Sequence, residues 1–117
     1  MTNVLLEKDG YRYTVRCRNH AGTDAACAAV STLCYTLAGY LHNIPELCEI
    51  EEEKLEPGDV RICFHSKDIT IGSATDLRIG YHADTVVSPI FDMICVGFLQ
   101  LAASYPEEAD VILQEIE

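Results

Sequence analysis

The sequence has little positive charge. It contains 8 Lys and Arg residues against 19 Asp and Glu residues, which gives a formal net charge of −11. Because phosphate backbones would repel so acidic a chain, we expect no direct binding to nucleic acid. A basic protein partner or substrate is favoured instead. The alternative, that the charge serves only solubility, stays open on charge alone.

The sequence also lacks an uninterrupted apolar run that we would expect to span a bilayer. Residues 1–10 lack the basic-then-apolar order of a signal peptide. We therefore expect a cytoplasmic protein with no membrane partner. Without an export signal, the six cysteines are not expected to build a disulfide framework, and we predict reduced thiols that are mostly structural.

Length and composition favour one folded domain over residues 1–117. The hydrophobic content is 49% and the mean hydropathy is +0.08. Asp9-Gly10 is a turn signal between two alternating runs, and Ser88-Pro89 is a typical helix start. The predicted strands cover residues 2–7, 11–17, 48–54 and 59–65, with a last short strand through Val111, Leu113 and Ile116. The predicted helices cover residues 24–41 and the stretch from Ser88 to Pro106.

The predicted element order is ββαββ, an insertion, α and a final β. We interpret residues 66–84 as the insertion, in which alternation around Gly72-Ser73 predicts an extra hairpin. Hairpins with two separate helices favour an α+β fold. In this fold, two helices pack on one face of a mainly antiparallel sheet.

The residues that suggest chemistry are concentrated in positions 19–31. A strand ends in His20, a short Gly-containing loop follows, and Cys27 then lies in the first turn of a helix. Unpaired N–H groups at a helix start favour negative charge, so the thiolate form of Cys27 is favoured there. A thiolate is the nucleophilic form of cysteine, and His20 could act as its base. The backbone N–H groups of Ala26 and Cys27 could donate to a developing oxyanion.

Each of these residues also has a non-catalytic interpretation. Cys27 could be packing in an alanine-rich helix start, and His20 could be a solvated residue at a strand end. Thr23 or Asp24 can cap the helix; Asp24 could instead orient His20 as a triad carboxylate does, and for Asp24 we prefer the cap. Ser31 lies one turn beyond Cys27. It could hydrogen-bond near the thiolate or to the carbonyl one turn earlier.

A metal site is a further alternative. Cys17, His20 and Cys27 offer three possible zinc ligands. The sequence has no Cys-x-x-Cys pair and no obvious fourth ligand at a finger-like spacing. We therefore expect no metal and no other cofactor.

Two segments of the sequence resemble the ribosomal-processing cysteine protease family Prp, also called YsxB-like. Residues 20–31, His-Ala-Gly-Thr-Asp-Ala-Ala-Cys-Ala-Ala-Val-Ser, match its signature of Gly-His-Ala, a loop, Asp, two small or apolar residues and Cys-Ala-Ala-Val-Ser. Residues 97–106, Gly-Phe-Leu-Gln-Leu-Ala-Ala-Ser-Tyr-Pro, are similar to its closing helix, which ends in Tyr-Pro followed by acids. The element order also agrees. The resemblance therefore covers nearly the whole chain outside residues 66–84.

The resemblance implies a protease. Members of the family trim an N-terminal extension from a large-subunit ribosomal protein, and phage relatives are associated with processing of a capsid or scaffold protein. It implies that Cys27 is the nucleophile and His20 the general base, with Asp24 and Ser31 in support. It also implies a homodimer and cleavage after a short motif that contains an aromatic residue. A basic ribosomal tail would suit this acidic chain.

Two features near the signature depart from the family. The loop between His20 and Cys27 is several residues shorter than in ribosome-processing members, which fits the phage-type relatives better. Asn19 replaces the family's glycine before the histidine, and Asn tolerates a left-handed backbone better than most residues. The main alternative function is a non-enzymatic homologue that holds or assembles a basic protein tail in the same groove.

Overall fold

The computed structural model describes residues 1–72 and 78–116. The described chain forms seven strands and two helices. Their order confirms the predicted sequence of elements, including the final strand. The bounds are β1 Thr2–Asp9, β2 Arg12–Arg18, α1 Asp24–His42, β3 Cys48–Glu56, β4 Asp59–Ser66, β5 Asp68–Gly72, β6 Arg78–His82, α2 Asp84–Ser104 and β7 Ala109–Ile116.

Five strands form the main sheet in the order β3-β4-β2-β1-β7. All neighbouring pairs are antiparallel except β1 and β7, which run parallel. The β1–β2 hairpin turns at Gly10, whose φ of 60° lies in the left-handed region that glycine adopts without strain. The predicted α+β fold with a mainly antiparallel sheet is therefore confirmed.

One face of this sheet forms the core. The strand register aligns Leu6 with Val15 and Val15 with Ile62, and all three side chains are fully buried. Buried residues of both helices belong to the same apolar cluster, so α1 and α2 cover this one face. The opposite face carries polar residues, among them the paired Arg16 and Arg61. Alternating side chains thus divide each strand between core and solvent.

The hairpin expected within residues 66–84 is present. Strands β5 and β6 pair antiparallel and form a separate two-stranded sheet. The predicted turn at Gly72-Ser73 is not tested, because residues 73–77 lie outside the described residues. The hairpin joins β4 to α2 beside the core.

The predicted start of the second helix is wrong. Ser88 and Pro89 lie inside α2, which begins one turn earlier at Asp84. The Asp84 Oδ1 atom accepts hydrogen bonds from the Tyr13 hydroxyl at 2.5 Å and from the Ser66 hydroxyl at 2.7 Å. Burial and the bond to Asp84 raise the pKa of Tyr13, so its phenol remains a donor. These tertiary contacts fix the helix start upstream of the local Ser-Pro signal.

The expectation that no segment is apolar enough to span a bilayer also needs correction. By length and composition, α2 could cross a membrane. A core helix can pass the same test, and α2 buries six residues in this fold. One side of α2 therefore packs over the sheet, whereas the apolar residues Met93, Val96 and Leu99 remain exposed.

We predict that Asp84→Ala lowers the free energy of unfolding by roughly 2–3 kcal/mol, because it leaves the buried hydroxyls of Tyr13 and Ser66 without their acceptor. Asp92→Ala is the matched control, since Asp92 lies exposed on the same helix. Its effect should be within about 0.5 kcal/mol. Urea denaturation measures both values, and equal losses would contradict the anchoring role of Asp84.

Candidate active site

The candidate site lies between the end of β2 and the start of α1. Asn19 has a φ of 68°, the one non-glycine residue with a positive φ in the described part of the chain. The left-handed conformation expected from the asparagine is therefore present. Its backbone N–H donates to the Gly58 carbonyl in the β3–β4 turn at 2.9 Å. The strand end is thus tied to a neighbouring hairpin just before His20.

Thr23, not Asp24, is the N-cap of α1. Its extended backbone and its Oγ1 atom, which accepts from the Ala26 N–H at 3.3 Å, satisfy the usual cap geometry. The preferred interpretation of Asp24 as the cap is therefore wrong, because Asp24 is already the first helical residue. The Thr23 hydroxyl also donates to Glu108 Oε2 at 2.6 Å. Glu108 thus connects the loop to the segment before β7.

A cavity of about 130 Å³ opens at this junction. His20, Cys27 and Ser31 all line it, together with the β3–β4 turn that contains Gly58. Asp24 lies outside this lining and is exposed in the first turn of α1. The structure thus brings three of the four predicted side chains to one concave surface.

The thiol of Cys27 is partly buried and points back into the loop. Its Sγ atom donates to the Ala21 carbonyl at 3.4 Å. The backbone N–H of Cys27 donates to the Thr23 carbonyl at 3.0 Å, and that of Ala26 to the Thr23 hydroxyl. An oxyanion could recruit either N–H group only by sharing it in a three-centre hydrogen bond.

His20 is exposed and its imidazole lies against the β3–β4 turn. A Cβ atom built on Gly58 would lie only 2.8 Å from the His20 Nε2 atom. Within residues 1–72 and 78–116, no side chain hydrogen-bonds this imidazole. The arrangement therefore contains a thiol and an imidazole on one cavity, without a carboxylate bonded to the imidazole.

The other cysteines differ from Cys27 in their surroundings. Cys17 and Cys34 also line the cavity, with their Sγ atoms 3.9 Å apart, and both are buried. The contact with Cys34 and burial raise the pKa of Cys17, and burial raises the pKa of Cys95 to about 12. Burial also raises the pKa of Cys48. The thiols of Cys17, Cys48 and Cys95 are therefore held protonated and serve as core residues.

The three residues considered as zinc ligands, Cys17, His20 and Cys27, line the same cavity but form no metal-binding group. Across the described ranges, no group of three or more His, Cys, Asp or Glu side chains could hold a metal ion. The Cys17 thiol contacts Cys34 in the core, whereas the Cys27 thiol contacts the loop carbonyl of Ala21.

Two residues that contact the site were not predicted as functional. Gly58 lies between the predicted strands over residues 48–54 and 59–65, and Glu108 is one of the acids after Tyr105-Pro106. Their contacts with His20 and Thr23 join residues far apart in the sequence. The sequence shows only a Pro-Gly pair between two strands and acids after a helix. Neither feature identifies His20 or Thr23 as the residue that is contacted.

Comparison with known proteins gives five matching chains of known structure, among them the two that follow. No family model and no curated protein sequence matches the chain. The crystal structure of SMU.848 from Streptococcus mutans is 21% identical, with a TM-score of 0.67 over 99% of this chain and 96% of that one. The essential ribosomal processing protease Prp from S. aureus, in complex with a substrate peptide, is 13% identical. Its TM-score is 0.64, over 97% of this chain and 99% of that one.

Both comparisons cover almost the whole of each chain, so they concern the complete fold and not a shared fragment. The resemblance to the Prp family is thereby confirmed at the level of the fold. The described residues adopt the α+β architecture that is also found in SMU.848 and in the ribosomal processing protease Prp.

Proposed function

We propose that this protein is a cysteine endopeptidase in which Cys27 is the nucleophile and His20 the general base. The observation that carries the proposal is the placement of both side chains on one cavity at the β2–α1 junction. The likeness of the fold to the protease Prp supports the reaction class. Ser31 on the same cavity is a supporting residue, and the exposed Asp24 contributes its charge to the helix start.

The proposed reaction begins with proton transfer. His20 takes the Cys27 proton, so the thiol gives up its hydrogen bond to the Ala21 carbonyl. The Cys27 sulfur then attacks the scissile carbonyl carbon and forms a C–S bond, while the carbonyl oxygen becomes an oxyanion. His20 returns the proton to the leaving amine as the C–N bond breaks. Water then hydrolyses the thioester and restores the thiol.

We propose that the substrate is a protein with a basic N-terminal extension. The S. aureus Prp structure contains a substrate peptide, which supports a polypeptide substrate for this fold. The net charge of −11 would attract a basic segment. A ribosomal precursor and a phage capsid or scaffold protein are the two candidates, and the short loop before Cys27 favours the second. Either substrate would place the activity in the cytoplasm.

The proposed reaction can be tested by incubating the protein with both candidate precursors and identifying products by mass spectrometry. We expect wild-type cleavage within the N-terminal extension and loss of cleavage in Cys27→Ala and in His20→Gln. Cys63→Ala is the control, because Cys63 is the other partly buried cysteine and lies on the opposite sheet face.

Cleavage by the Cys27→Ala variant at the wild-type rate would contradict the proposal. Tight binding of a basic tail by the wild type without any cleavage would favour the alternative, a binding or assembly module. The engagement of the Ala26 and Cys27 N–H groups by Thr23 is the observation that favours this alternative, since it reduces the donors free to stabilise an oxyanion.

We also propose that the protein forms a homodimer. Helix α2 exposes Met93, Val96 and Leu99, whose relative accessibilities are 63%, 52% and 44%. Burying these apolar side chains between two copies would be favourable. We expect Val96→Glu to shift sedimentation equilibrium toward the monomer, with Thr36→Glu at an exposed position of α1 as the control. A wild-type monomer at every concentration would contradict the dimer.

A further inference from the structure

The turn between β3 and β4 has an unusual relation to the proposed base. Gly58 follows Pro57 in this turn and has a φ of 74°. A Cβ atom at Gly58 would lie 2.8 Å from Nε2, 3.0 Å from Cδ2 and 3.3 Å from Cε1 of His20. Real Cβ contacts are longer than the first of these distances. Gly58 is therefore required both by its backbone conformation and by the position of the imidazole.

A second contact fixes the backbone beside the imidazole. The Asn19 N–H donates to the Gly58 carbonyl at 2.9 Å, and Asn19 itself is in the left-handed conformation. Gly58 thus contacts the segment twice, once through its carbonyl and once through the space above its Cα. The first contact holds the backbone of residue 19, and the second receives the side chain of residue 20.

These contacts restrain the orientation of the His20 ring, which no side-chain hydrogen bond within the described residues restrains. His20 is exposed, and no described side chain hydrogen-bonds its ring. An exposed imidazole has several staggered rotamers available, and only some of them can face the cavity. The packing surface at Gly58 limits that choice.

We propose that Gly58 is a positioning residue for the general base, because the His20 imidazole packs on the β3–β4 turn at this glycine. The expected effect on catalysis rests on the proposed function, whereas the packing of the imidazole on Gly58 does not. Because the imidazole is exposed, a side chain at residue 58 would displace the ring without breaking the core. We therefore expect a substitution at residue 58 to lower kcat and to leave the stability of the fold nearly unchanged.

Gly10 offers a matched control. It lies in the β1–β2 turn with a φ of 60°, and a Cβ built there would meet nothing within 4 Å. Ala at either position incurs the same type of left-handed backbone strain, but only at residue 58 does it also contact His20. The pair Gly58→Asn and Gly10→Asn repeats the comparison with a residue that tolerates positive φ, in case an alanine variant fails to fold.

We expect Gly58→Ala and Gly10→Ala to have similar melting temperatures. The His20 ring resonances in ¹H–¹³C NMR spectra should shift in the Gly58 variant and stay unchanged in the Gly10 variant. For cleavage of the precursor, kcat should fall on the order of 10-fold to 100-fold in Gly58→Ala, with little change in KM, because the base is misplaced. The Asn pair should give the same contrast.

Unchanged His20 resonances in the Gly58 variants, or equal kcat values for the Gly58 and Gly10 variants of an active protein, would overturn the proposal. If the His20 ring resonances shift but the wild type cleaves no precursor, the packing of His20 on Gly58 is supported and the proposed function fails. The NMR and kinetic measurements thus separate the two failures.

Discussion

The site depends on the hydrogen bond from the Asn19 N–H to the Gly58 carbonyl, since it joins the end of β2 to the turn of another hairpin. Asn19 itself has a left-handed backbone, and the chain leaves the sheet there and enters the loop before α1. The imidazole of His20 then packs over Gly58. A rigid sheet thereby controls the position of an otherwise exposed side chain.

The start of α1 is a second constraint on the geometry of the site. Thr23 accepts from the Ala26 N–H and donates to Glu108, so the cap is fixed from both sides. Asp24 and Glu108 bring carboxylates to this helix start, where they interact favourably with the helix dipole. In the proposed reaction, removal of the Cys27 proton is the role of His20 and not of these carboxylates.

The sequence predicts local features well and distant contacts poorly. The Asp9-Gly10 turn and the alternation of Ile62 with its neighbours are local patterns, and both appear in the structure at the expected places. The start of α2 was misplaced because Tyr13 and Ser66 bind Asp84 across the fold and outweigh the local Ser-Pro signal. Only the folded chain brings such distant partners together.

The candidate site likewise combines local features that the sequence predicts with distant contacts that it does not. Its loop, its cysteine in the first helical turn and the left-handed Asn19 follow from residues 19–31. The contact of Gly58 with His20 and that of Glu108 with Thr23 depend on sheet order and register, which no single motif encodes. Thr23 and Asp24 are adjacent and both suit the cap position, so the sequence leaves the cap open between them, and the structure gives it to Thr23.

The pairing of His20 with Cys27 is tested most directly by the rate at which iodoacetamide modifies Cys27 at neutral pH, compared between the wild type and His20→Gln. Cys63 provides an internal reference, since it is partly buried on the far face of the sheet. The account predicts that the substitution slows modification of Cys27 by roughly tenfold or more and leaves Cys63 unchanged. Equal rates at Cys27 in the two proteins would contradict it.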